Sequence, residues 1–142
     1  MEEIRFTISG IPTGKGRPKF STVNGFAMAY TPAKTANYET LVKLSYQQQC
    51  GDKPYSKDIP LKAEIIAYFP MPKSISMKRR KMMLEGKIRH TKKCDADNLA
   101  KSILDALNGI AFYDDSQVCE LSVSKMYSDN PRVIVRISEV EI

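Results

Sequence analysis

The sequence has 142 residues, of which 42% are hydrophobic and 27% charged, with a formal net charge of +6. This length favours a single domain, residues 1–142, and the composition is typical of a soluble globular protein. No apolar run is long enough to span a membrane, and the first residues predict a strand and not a signal peptide. The three cysteines are widely spaced and lack a CxxC pair, which predicts free thiols and a cytoplasmic location.

The first third of the chain predicts a strand, a hairpin and a helix. Alternation predicts a strand at Ile4–Gly10, which is followed by a basic Gly/Pro-rich loop, IPTGKGRPKF. Asn24-Gly25 predicts a hairpin turn. Thr31-Pro32 suits the start of a helix that runs to about Cys50 and ends at Gly51. The residues expected to be buried on this helix are Tyr38, Leu41, Val42 and Tyr46.

The remaining residues predict two strand regions separated by two helices. Leu61–Phe69 alternates as a strand, Ser76 suits the cap of a short basic helix, and a second helix is expected at Asp97–Asn108. The last strands, QVCELSVSKMYS and RVIVRISEVEI, are expected to pair antiparallel because only SDNP separates them. The predicted fold is α+β: a single domain with a mixed or antiparallel sheet and helices packed mainly on one face.

Charge is distributed unevenly along the chain. Residues 73–93 carry nine Lys or Arg against one Glu, a net of +8. Residues 94–120 carry six acidic residues against Lys101 alone, a net of −5. Since each neutralised phosphate releases counterions, the basic segment suits a nucleic-acid backbone. A solvated helix face is the structural alternative for this segment.

The acidic segment contains an ordered arrangement of carboxylates. Asp97, Lys101 and Asp105 are spaced i, i+4, i+8 and form one column on the predicted helix. Asp95 lies two residues before Asp97 in what should be extended chain, where side chains at i and i+2 point the same way. The opposite, apolar side of the helix consists of Leu99, Ile103, Ala106, Leu107 and Ile110.

These carboxylates predict a divalent metal ion, because converging carboxylates repel each other unless a cation neutralises them. Oxygen ligands suit Mg²⁺ or Mn²⁺, and Asp114-Asp115 can supply a third carboxylate. Lys101 can position the attacking water or stabilise charge on a phosphate. The structural alternatives are a helix N-cap for Asp97, an ion pair for Lys101 and a simple turn for YDDSQ. Neither a Ser-His-Asp triad nor a zinc site is favoured by His90, the only histidine.

The run DADNLAKSILDALNGIAFYDDSQV closely resembles the D-x-D-N-x-x-K … D-A-L … D-D-x-Q-V pattern of the RusA family of Holliday-junction resolvases. GKGRP, YTPAKTANYE and FPMP also resemble the family, so the resemblance covers nearly the whole chain. It implies a homodimeric endodeoxyribonuclease of DNA recombination and repair, with Mg²⁺ as cofactor or Mn²⁺ in its place. Such an enzyme makes paired symmetrical nicks in branched DNA, the four-way junction.

Matched position by position, the resemblance implies that Asp95, Asp97 and Asp115 are catalytic and bind the metal, with Lys101 as the essential lysine. Asp115 is preferred to Asp114 because it matches the second aspartate of the family's D-D pair. The residues predicted to contact nucleic acid, in the basic loop and the basic segment, are Lys15, Arg17, Lys78, Arg79, Arg80, Lys81, Lys92 and Lys93.

One position departs from the pattern, and two other functions stay open. Some family members place an arginine directly before the first aspartate, where this chain has Cys94, so Lys92 or Lys93 would have to supply that phosphate contact. The first alternative is a branched-DNA-binding protein with a degenerate acidic site, which binds without cutting. The second is a nuclease of broader specificity that acts on flaps or forks.

Overall fold

The structure is a computed structural model that describes residues 3–16, 19–23, 26–30, 33–51 and 53–141. Within these described residues, six strands and three helices follow in chain order, with one 3₁₀ turn before the fifth strand. They are β1 (Ile4–Ser9), β2 (Lys19–Val23), β3 (Phe26–Tyr30), α1 (Ala33–Cys50), β4 (Leu61–Pro70), α2 (Met77–Leu84), α3 (Ala96–Leu107), the 3₁₀ turn (Asp115–Gln117), β5 (Val118–Ser128) and β6 (Arg132–Glu139).

Four strands form a mixed sheet in the order β1-β6-β4-β5. β4 pairs parallel with β5 and antiparallel with β6, and β6 also pairs antiparallel with β1. β2 and β3 form a separate antiparallel hairpin, as predicted, although its turn residues Asn24 and Gly25 lie outside the described residues.

The predicted pairing of the last two strands with each other is wrong, because β4 lies between β5 and β6. Ser128 at the end of β5 pairs with Pro70, and Arg132 at the start of β6 pairs with Tyr68. The short connection therefore crosses the end of β4, where the Pro-rich segment stops the strand. Four Cα steps reach about 15 Å, and two strand spacings need only about 10 Å. A short connection thus permits either pairing.

The core lies on one face of this sheet, where α1 and α3 cover it. Alternate residues of β4 are buried from Leu61 to Phe69, in register with the buried residues of β6 and β1. The ring of Tyr46 in α1 packs edge-on against Phe6 of β1, with ring centroids 5.3 Å apart. This arrangement confirms the predicted α+β class. The prediction for Leu41 is wrong, since its side chain is 39% exposed.

Local signals account for most helix ends. Ser76 caps α2 by accepting a hydrogen bond from the backbone N–H of Arg79. Gly51 and Gly109 follow α1 and α3 with positive φ, a conformation that a side chain disfavours. The predicted helix start at Thr31-Pro32 lies outside the described residues. Among the residues described, no helix is long and apolar enough to cross a membrane.

An Ile→Ala substitution should lower the free energy of unfolding by different amounts on the two faces of β4. Ile65→Ala should lower the free energy of unfolding by about 2–5 kcal/mol, because it opens a cavity in the core. Ile66→Ala, on the partly exposed opposite face, should cost about 1 kcal/mol. Urea denaturation of both variants measures the difference. Equal costs would contradict the assignment of the core to one face.

Candidate functional site

Helix α3 carries the acidic residues and is held in place by its apolar side. Its buried residues face the core, as the helical wheel predicts, and the polar residues of the opposite side are exposed except for Asp105, which is partly buried. Ile110 follows the helix and packs against the core cluster. Burial of the apolar side therefore fixes the position of the helix on the core.

The N-terminal end of α3 presents two carboxylates. Asp95 occupies the N-cap, yet its side chain makes no capping hydrogen bond. Asp97 lies in the first turn with its side chain exposed, and within the described part of the chain no ion pair of its carboxylate is found. The alternative that Asp97 is merely the N-cap is thereby excluded. Oxygen atoms of both residues remain available to a ligand.

Asp95 lies at the edge of a cleft of about 830 Å³. One wall of the cleft is the loop Thr13–Gly16, and Phe69 and Pro70 at the end of β4 contribute to its lining. Lys34 and Lys93 also line it and make its border basic. Such a border suits an anionic ligand beside the carboxylates.

The C-terminal end of α3 holds the third predicted carboxylate. Asn108, the C-cap of α3, accepts a hydrogen bond from the backbone N–H of Asp115 through its side-chain oxygen (2.7 Å). Asp114 caps the 3₁₀ turn by accepting a hydrogen bond from the Ser116 N–H, and its hydrogen bonding to Ser116 lowers the pKa of the Asp114 carboxyl. Asp114 is thus committed to the turn, whereas among the described residues no hydrogen bond or ion pair of the Asp115 carboxylate is found.

Gln117 fixes this turn from both sides. Its side-chain oxygen accepts hydrogen bonds from the backbone N–H groups of Tyr113 (2.9 Å) and Asp114 (3.3 Å). Its side-chain nitrogen donates to the carbonyls of Ser56 and Ile59, just before β4. No role in supporting Asp115 was predicted for Asn108 or Gln117, although Asn108 ends the helix predicted at Asp97–Asn108 and Gln117 belongs to the D-D-x-Q-V part of the family pattern.

The two groups of carboxylates lie far apart within one chain. α3 has 12 residues and rises about 18 Å from the N-cap side to the C-cap side. Asp95 shares its cleft with Pro70, the last residue of β4. Asp115, in contrast, begins the 3₁₀ turn that leads into Val118, and Val118 pairs with Leu61, the first residue of β4. In the described ranges, no three Asp, Glu, His or Cys residues are close enough to hold a metal ion. One chain does not bring Asp95, Asp97 and Asp115 together.

The two lysines near this helix differ in their contacts. Lys101 is 62% exposed, and its ammonium lies 3.5 Å from Asp105, as the predicted i,i+4 pair. The ammonium of Lys15 lies between Glu39 (2.5 Å) and Asp105 (3.3 Å), and the hydrogen bond to Glu39 is the main cause that raises the pKa of Lys15. The Lys15 ammonium is thus already paired with two carboxylates. Its predicted contact with nucleic acid stays a prediction.

The predicted nucleic-acid contacts in the basic segment are mostly accessible. Arg80 differs because it pairs with Asp129. Arg17 lies outside the described residues. The exposed members of the set are Lys78, Arg79, Lys81, Lys92 and Lys93.

The segment that carries the only histidine is docked against the sheet. His90 stacks on Phe69 with ring centroids 3.7 Å apart, and burial is the main cause that lowers the pKa of the imidazole. Arg89 donates a hydrogen bond to the carbonyl of Lys125, and the Lys125 ammonium donates one to the carbonyl of Lys92. The sequence did not predict this docking, which orients the backbone that leads to Lys93 and Asp95.

Comparison with known proteins assigns the family. The model of the family "Endodeoxyribonuclease RusA" matches residues 9–138. The chain is 40% identical over 142 residues to "Uncharacterized protein YqaN" of Bacillus subtilis strain 168, with 99% of each chain covered. It is 26% identical over 139 residues to "Crossover junction endodeoxyribonuclease rusA" of Lactococcus phage r1t, with 97% of this chain and 98% of the relative covered. The chain belongs to the RusA endodeoxyribonuclease family.

Proposed function

We propose that the protein is a structure-specific endodeoxyribonuclease that resolves four-way DNA junctions by paired symmetrical nicks. The observation that carries the proposal is the complete acidic pattern within a chain that matches the family along nearly its whole length. A protein that only binds DNA has no physical need for unpaired carboxylates beside a basic cleft, since these repel phosphate. The phage relative named as a crossover junction endodeoxyribonuclease supports the substrate. The proposed location is the cytoplasm.

The active form in this proposal is a homodimer. The separation of Asp95 and Asp97 from Asp115 along α3 supports this, because a second chain can supply the carboxylate that the first holds at its other end. A two-fold axis that sets two copies of α3 antiparallel would create two equivalent sites. Two sites in matching orientation also suit a junction that exposes two equivalent strands.

The chemistry of the donor set fits a hard divalent cation. Asp95 makes no capping hydrogen bond, and all three proposed ligands are carboxylates without a thiol or imidazole among them. Asp95 and Asp97 of one chain and Asp115 of the other would hold Mg²⁺ or Mn²⁺. When bound, such an ion supplies charge stabilisation to phosphodiester hydrolysis.

The remaining residues bind and orient the DNA. Lys101, which is exposed on the second turn of α3, would stabilise negative charge on a phosphate near Asp97. Lys93 and Lys34 at the cleft attract the backbone of the strand, and Lys93 replaces the family's arginine in this role. The exposed cations of α2 extend the contact to a neighbouring arm of the junction.

Asp97→Asn should abolish cutting and spare binding. We expect the rate of Mg²⁺-dependent nicking to fall by at least about 100-fold, because a metal ligand contributes several kcal/mol to transition-state stabilisation. Junction affinity measured with Ca²⁺ should stay equal or increase, since a charge that repels phosphate is removed. Asp58→Asn, an exposed aspartate in a turn, is the matched control. Wild-type turnover in the Asp97 variant would refute the site.

The exposed cations of α2 should dominate the salt dependence of binding. Arg79→Ala combined with Lys81→Ala should reduce the slope of log affinity against log salt by about 2, since each lost phosphate contact removes about 0.9. Lys43→Ala combined with Lys57→Ala makes the same charge change at exposed positions elsewhere. If both double variants bind the junction with the same slope, α2 faces bulk solvent and not DNA.

A further inference from the structure

We propose that Lys15 is a positioning residue that fixes one wall of the cleft through Glu39 and Asp105, and does not contact DNA. The inference rests on the nuclease site proposed at the N-terminal end of α3. It assigns the loop Thr13–Gly16 a structural task in that site: to keep the cleft beside Asp95 open and of constant shape.

The backbone of the loop is bound to both neighbouring helices. The Lys15 N–H donates to the carbonyl of Asn98 in α3 (2.9 Å), and Ser102 of α3 donates to the carbonyl of Thr13 (2.9 Å). On the other side, the Gly16 N–H donates to the hydroxyl of Thr35 in α1 (2.8 Å). Thr35 and Ser102 are buried polar residues and their hydrogen bonds to the loop are partly buried, so losing these two bonds is costly. The loop thus has a defined position between α1 and α3.

The side chain of Lys15 adds two ion pairs to the backbone hydrogen bonds that link the loop to α1 and α3. Its ammonium reaches Glu39 on α1 and Asp105 on α3, and the side chains of all three residues are only 18–22% exposed. A charge withdrawn from water in this way requires its partners, so removing the cation would leave two carboxylates close to each other. Electrostatic attraction through Lys15 therefore holds the two helices at one distance across the loop.

The loop approaches the N-terminal end of α3 very closely. A Cβ at Gly14 would lie 3.1 Å from the Cβ of Cys94 and 3.2 Å from that of Asn98, so only glycine fits here without a shift. Cys94 immediately precedes Asp95. Because interiors are close-packed, a shift of the loop displaces the residues that carry the metal-binding carboxylates.

Asp105 also connects Lys15 to the proposed catalytic lysine. Its carboxylate lies 3.3 Å from the Lys15 ammonium and 3.5 Å from that of Lys101. Without Lys15, Asp105 would pair with Lys101 alone and hold it more tightly. Loss of Lys15 should thus impair the reaction in two ways, through the shape of the cleft and through the availability of Lys101.

The test compares Lys15→Met, Lys15→Arg and the control Lys43→Met on α1, each in a Cys50→Ser/Cys119→Ser background that leaves Cys94 as the only thiol. Three quantities are measured: the nicking rate at saturating four-way junction with Mg²⁺, the salt slope of junction binding with Ca²⁺, and the rate at which a disulfide reagent labels Cys94.

For Lys15→Met we expect a nicking rate reduced about 10- to 100-fold, the loss typical of a small misplacement of reacting groups. The salt slope should stay unchanged and Cys94 should be labelled several-fold faster. Lys15→Arg should restore most of the rate.

A second variant, Glu39→Gln, distinguishes loss of the ion pair from a general loss of folding in Lys15→Met. Glu39→Gln, which leaves the pair between Lys15 and Asp105, should reproduce the faster labelling of Cys94 and part of the loss in nicking rate. The double variant should lose little more than Lys15→Met, because Glu39 acts through Lys15. A salt slope that falls by about 0.9 in Lys15→Met, with unchanged labelling, would show direct phosphate contact and overturn the inference. Unchanged nicking and labelling would overturn it as well. If the unmodified protein cuts no junction, the proposed function fails, whereas the salt slope and Cys94 labelling still decide the role of Lys15.

Discussion

The burial of the apolar side of α3 against the sheet is the interaction on which the arrangement of the site depends. It fixes the helix so that Asp95 lines the same cleft as Pro70 at one end of β4, whereas Asp115 lies in the turn that leads to the partner of Leu61 at the other end. The separation between Asp95 and Asp115 reduces the repulsion between these acidic residues within one chain. It also explains why a single chain brings together at one place only part of the carboxylate set that its sequence contains.

Much of the fold and the identity of the site residues could be predicted from the sequence, because these properties are encoded locally. Alternation predicted the buried face of β4, Ser76 predicted the start of α2, and the spacing of Asp97 and Lys101 placed both on the polar side of α3. The relative positions of these parts are not local. The insertion of β4 between β5 and β6 depends on strand pairing, and a short connection is compatible with more than one partner.

The contacts of Lys15 in the loop Thr13–Gly16 could not be predicted either, because they too depend on residues distant in sequence. The glycines and cations of this loop are typical of a loop that binds phosphate. Nothing in the local sequence indicates that Lys15 pairs with Glu39, 24 residues away. Leu41 was wrongly expected in the core for a related reason, since periodicity defines a helix face but not how far its neighbours cover that face. Tertiary packing decides both cases.

The claim that two chains complete each site is tested most directly by mixing two inactive variants, Asp97→Asn and Asp115→Asn, after joint unfolding and refolding. If each site combines Asp97 of one chain with Asp115 of the other, a mixed dimer has one site with both changes and one intact site. The mixture should then nick junctions at about a quarter of the wild-type rate, by symmetry of random pairing. If each chain carries a complete site, both sites of the mixed dimer are damaged. A mixture that stays inactive, while refolded wild-type protein cuts normally, would contradict the account.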